Sequence, residues 1–181
     1  MNLAKKLVSV AAGVALVAGM GAVAATPAAA KKKTTYSGTT LISFDKALAP
    51  VVAGIVPVAP AKKTGTKLTF PVTNVKGDGV YHRGAIKIGA LEASNPVIVI
   101  GENNTAVINL SVAGNALPVF TIKNFKIRKD TKKQQVWQGF LHLTDNQLVV
   151  DALNAAVGQA VFTADMGLGQ IRTTINIKTK K

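Results

Sequence analysis

Two histidines, His82 and His142, are the side chains best suited to ligation or proton transfer, and no cysteine accompanies them. His82 lies in VYHRGAIKI, residues 80–88. If that run is a strand, Val80, His82, Gly84, Ile86 and Ile88 share one face, and Tyr81, Arg83, Ala85 and Lys87 share the other. An imidazole at the head of an apolar face can be presented to a metal or a haem iron. The same placement also suits a buried histidine bonded to a backbone carbonyl. Gly84 is expected to leave room above the sheet. Tyr81 joins His82 only through a bulge. His142 lies in QVWQGFLHL, residues 135–143, where Val136, Gln138, Phe140 and His142 oppose Trp137, Gly139, Leu141 and Leu143. Both faces are partly apolar, so a structural role is expected for His142.

Nucleophile chemistry has little to work with. Beyond residue 30 the serines stand at 37, 43, 94 and 111, and none occupies a G-x-S-x-G elbow. No H-E-x-x-H or His/carboxylate cluster is present. The sequence therefore predicts no catalysis, and an enzyme with a dispersed site is the weakest alternative. The remaining chemical feature is charge. KNFKIRKDTKK, residues 123–133, carries Lys123, Lys126, Arg128, Lys129, Lys132 and Lys133 against one acid, Asp130. One reading is a strand running into a solvated turn with gatekeeper lysines. The other is a patch for anionic partners: envelope polymers, phospholipid headgroups, haem propionates or nucleic acid. Nucleic acid fits least, because only 6 Phe, 2 Tyr and 1 Trp are available for base stacking.

The elements that position these residues must come from 181 residues with 22 Lys plus Arg, 8 Asp plus Glu and 48% hydrophobic content. Positive mean hydropathy (+0.29) beside a formal charge of +14 is an unusual pairing. Residues 1–30 account for part of it. Lys5 and Lys6 precede an apolar run from Leu7 to Val23, and Ala28-Ala29-Ala30 offers a cleavage site, the pattern of a secretory signal peptide. Cleavage after Ala30 removes two bases and no acids, leaving 20 − 8 = +12. The expected product is a secreted or wall-associated protein with no transmembrane anchor. Residues 31–181 are expected to form one β-rich domain with frayed basic tails at 31–37 and 179–181.

Period-2 alternation predicts strands at 38–44, 66–72, 80–88, 97–101, 106–112, 117–123, 135–143 and 170–178. Gly77-Asp78-Gly79, Ser94-Asn95-Pro96, Glu102-Asn103-Asn104 and Gly114-Asn115 supply turns between them. That spacing predicts an antiparallel β-sandwich or a barrel-like variant. Two short helices are expected. One spans 45–54 and is distorted by Pro50. The other spans 145–157, with a Thr144/Gln147 capping box, an apolar stripe through Leu148, Val149 and Leu153, and a stop at Gly158.

The run from Gly79 to Val112 holds His82, Gly84, a hydrophobic strand to Leu91, then Pro96 and Gly101. It resembles the middle of the haem-transport-associated (HtaA-type) domain of actinobacterial surface proteins. The wider layout is similar too: Ser43-Phe44 ends an opening strand, and LTDNQLVVDALNAAVG (143–158) precedes the last one. The resemblance implies a secreted, non-enzymatic β-domain with haem as a candidate ligand. Some members bind haem through a tyrosine near the domain start with a histidine in this region. His82 falls at that histidine, and Ala47-Leu48-Ala49 stands where the tyrosine is expected. Tyr36 and Tyr81 are the tyrosines left as candidates. The alternative from another class is a structural or adhesive protein held on anionic envelope polymers.

Overall fold

A computed structural model describes residues 33–103 and 105–180. The signal expected over 1–30 lies outside them. The order is β1 (Lys33–Phe44), a 3-10 turn (Lys46–Leu48), α1 (Ala49–Ala53), β2 (Ile55–Val58), β3 (Lys62–Thr64), β4 (Lys67–Lys76), β5 (Gly79–His82) and β6 (Ala85–Ile88). β7 (Leu91–Ile100), β8 (Ala106–Val112), β9 (Asn115–Asp130), β10 (Gln134–Leu143), α2 (Gln147–Val157) and β11 (Gly167–Lys180) follow.

All pairings are antiparallel, and they close on themselves. Neighbours run β7-β5-β4-β1-β11-β10-β9-β8, and β8 returns to pair with β7. β6 continues the line of β5 along β7, β2 pairs β6, and β3 pairs β4. The result is an eight-stranded barrel with extra strands at one edge, the barrel-like form of the expected architecture. An eight-stranded barrel encloses just enough space for side chains to fill. Here Ile42, Phe70, Val80, Ile98, Ile122 and Ile175 fill it from six different strands. Trp137, 1% exposed, meets Phe125 edge-on with ring centroids 5.6 Å apart. Truncating such a ring costs about 3–5 kcal/mol.

Several expectations change in detail. Residues 31–37 are not a frayed tail from Lys33 onward: β1 starts there, pairs Lys33 with Lys180, and packs half-buried Tyr36 on the core. The strand expected over 80–88 breaks at Arg83-Gly84, where Gly84 takes φ +108. The room foreseen above Gly84 is occupied, since a Cβ there would lie 2.7 Å from the Ala61 nitrogen. Near Pro50 the chain forms only the 3-10 turn and the five residues of α1, as the proline foretold. α2 begins two residues later than expected. Its N-cap is Asn146, whose side chain accepts from the Leu148 N–H at 3.1 Å, while Thr144 is buried and accepts from the Asn146 N–H. Gly158 closes the helix at φ +73.

Candidate functional site

His82 reaches the barrel interior because β5 alternates, and it is only 4% exposed. Its Nδ1 lies 2.9 Å from the Pro96 carbonyl, and its Nε2 lies 2.7 Å from Thr40 Oγ1. Thr40 Oγ1 is in turn 2.8 Å from Thr173 Oγ1. A carbonyl can only accept, so Nδ1 donates to it. In the neutral ring Nε2 then accepts from Thr40, and Thr40 accepts from Thr173. Burial holds the His82 pKa below its ordinary value, and backbone bonding to Pro96 and Val80 opposes that only in part. The chain Thr173–Thr40–His82–Pro96 is thus satisfied at every member. Neither imidazole nitrogen is free to meet an iron, so His82 does not fit as an axial ligand in this geometry.

The other candidates do not gather around it. Tyr81 points outward at 38% exposure, as alternation requires. Tyr36 lies four residues before Thr40 on β1, about 13 Å along the strand, and shares no hydrogen bond with His82. Among the described residues no group of three or more His, Asp or Glu could hold a metal ion. His142 sits on the outer wall, its Nδ1 3.0 Å from the Asp165 carbonyl oxygen.

The basic segment divides. Lys123 pairs with Asp165 at 2.6 Å, and with this contact the Asp165 carboxyl lies below its usual range. Lys129 donates to Gln134 Oε1 at 2.9 Å. Lys132 and Lys133 stand exposed beside Thr131 in the turn before β10. Lys126 and Arg128 instead face a groove on the barrel's outer wall.

Among the described residues, two of the concave features are wide enough to take a ligand. The first is a cleft of about 270 Å³ between α2 and the sheet of β6 to β9. Ile88, Leu110, Val119, Phe120, Val149 and Leu153 line it, with Asn146 its one polar wall residue. Leu148, 79% exposed, stands at the same cleft. The apolar stripe of the helix pointed to this side, but the facing strands could not be paired with it from sequence. The second is the outer-wall groove, about 610 Å³, across β1, β11, β10 and β9. Arg172, Gln138 and Phe140 belong to it and were not expected there: Arg172 lies far from the basic segment in sequence, and Gln138 and Phe140 sit on the returning strand β10. Among the described residues no helix is long and apolar enough to cross a membrane.

No family model and no curated protein matches this sequence. Solved structures do. The chain is similar to the heme binding protein HtaB from Corynebacterium glutamicum, with a TM-score of 0.60, 16% identity, and coverage of 82% of this chain and 97% of that one. It is also similar to the C-terminal domain of HtaA from the same organism, with a TM-score of 0.58, 12% identity, and coverage of 81% and 100%. Over most of its length the chain therefore has the fold of the haem-transport-associated, HtaA-type domain.

Proposed function

We propose that the chain is an exported, non-enzymatic binding domain whose ligand is a flat apolar molecule of haem's kind, held in the cleft beneath α2. The observation that carries this reading is the fold shared with a heme binding protein over 82% of the chain. The cleft supports it chemically. Its walls are almost entirely carbon, so one edge of a porphyrin inserted there would leave water while its propionates stayed outside. His82 contributes no iron bond, because both of its nitrogens are engaged in the core. Affinity then comes from apolar burial.

Titration of the protein with hemin and with metal-free protoporphyrin tests this. Both are expected to bind, with dissociation constants within about threefold of each other, since no metal bond separates them. Ala152→Trp, at the cleft wall, should weaken both by about tenfold, a loss of about 1.4 kcal/mol. His82→Gln should leave both affinities unchanged. No binding of either porphyrin at micromolar concentration sinks the proposal. A strong preference for hemin that disappears in His82→Gln would return the role of iron ligand to that residue.

A further inference from the structure

The outer-wall groove is built by a defect in the β9–β10 ladder. Gln138 faces Lys126 but Phe140 faces Lys123, so Asn124 and Phe125 together oppose Gly139. This is a bulge, and Asn124 takes φ +51 to make it. Gly139 permits it: a Cβ there would lie 2.5 Å from Ile122 Cγ2 and 2.9 Å from the Lys123 carbonyl oxygen. Bulges re-aim neighbouring side chains, and here Lys126 and Arg128 face the groove.

The register sets the groove's other wall. Leu41 pairs with Arg172, Arg172 with Gln138, and Gln138 with Lys126, a row across four adjacent strands. At the usual strand spacing this row is about 14 Å long. The next row holds Ser43, Gln170 and Phe140. Three cations and no acid line the groove. Among the described residues Arg172 and Lys126 form no ion pair. Gln138, with its amide oxygen turned to Arg128, accepts from Nη2 and Nε at 3.0 and 3.1 Å and so fixes that guanidinium. Phe140 stands 48% exposed among these polar groups, where no packing need accounts for it.

We infer that this groove is a binding site for an anionic glycan, a sugar chain bearing carboxylates or similar acidic groups. Guanidinium groups meet carboxylates in planar, bidentate fashion. The amides of Gln138 and Gln170 and the Ser43 hydroxyl can exchange hydrogen bonds with ring hydroxyls, and a phenyl ring offers an apolar face for the C–H side of a sugar. Single-stranded nucleic acid would want several stacking rings, and the groove has one. The inference stands apart from the porphyrin cleft, which shares no lining residue with this groove.

The test is calorimetric titration with hexagalacturonate at about 0.15 M salt, where diffuse surface attraction is largely screened. Wild-type protein should bind. Phe140→Ala and Arg172→Gln should each weaken binding by about tenfold. The double variant Lys132→Ala/Lys133→Ala, which removes two charges from the hairpin tip instead, should change it by less than about twofold. Each variant's melting temperature checks folding, and its hemin titration should match wild type. Equal losses from groove and tip variants would reduce the attraction to net charge and overturn the site. So would an unchanged Phe140→Ala, equal binding of neutral chitohexaose, or displacement of the glycan by phosphatidylserine vesicles or oligo-dT. No binding at all would also overturn it.

Discussion

At the residue scale the decisive side chain is His82, and its protonation is coupled to folding. Its pKa is depressed in the folded state, while an unfolded histidine titrates near about 6.5. As pH falls through that value, the unfolded chain takes up a proton that the folded chain refuses. The stability the neutral ring provides is therefore complete above about pH 6.5 and declines below it, by at most about 1.4 kcal/mol per pH unit. Melting curves at pH 7.5 and pH 5 should show a larger drop for wild type than for His82→Gln. A drop of the same size in both would place the titration elsewhere. His82→Ala should cost about 2–3 kcal/mol, because Thr40 and the Pro96 carbonyl would lose their partner inside the barrel. Alternation placed His82 on the inner face of its strand from sequence alone. Its partners were not legible, because Thr40 lies 42 residues from His82 and 133 from Thr173, and the three meet only through barrel closure.

At the scale of elements, α2 shows how local chemistry fixes one end of a helix and misleads at the other. Thr144 has the spacing of a capping box, yet it is buried with its N–H bonded to the Val119 carbonyl, and Asn146 caps instead. Asn146→Ala should destabilise the fold by about 1 kcal/mol, read by chemical denaturation. Asn154 has a larger task. Its side chain accepts from the Val161 and Phe162 N–H groups and donates to the Phe162 carbonyl, pinning the segment that leads to β11. Asn154→Ala should cost more than the cap does, and proteolysis should begin between Gly158 and Asp165. Cleavage elsewhere first would count against that role. The strands were legible wherever side chains alternate cleanly, as in VFTIK or QVWQGFLHL. β2 was missed because Pro57 interrupts IVPV, and β3 because KKT has no apolar face.

At the scale of the whole molecule, sequence spacing predicted many short antiparallel strands in a sandwich or a barrel-like variant, but not which pairings close it. Closure depends on β8 reaching β7 and on β1 lying between β4 and β11, pairings fixed by shape rather than by neighbours in sequence. The cleft under α2 is lined by β7 and β8, which meet at that closure, and the outer-wall groove combines four strands with a bulge, so neither was visible as a motif. The barrel wall should also be uneven in its dynamics. β1 pairs with β11 over twelve register positions, whereas β3 holds β4 over three. Amide hydrogen exchange should be slowest in β1, β10 and β11 and fastest in β2 and β3. Uniform protection would contradict this order.

The pairing of Lys33 with Lys180 has a mechanical consequence. The two ends of the described chain lie side by side at one extremity of the same antiparallel ribbon. A load applied between them would open the β1–β11 ladder one rung at a time, like a zipper, and would never shear it along its length. Tension between the two ends would therefore peel the barrel open at low force.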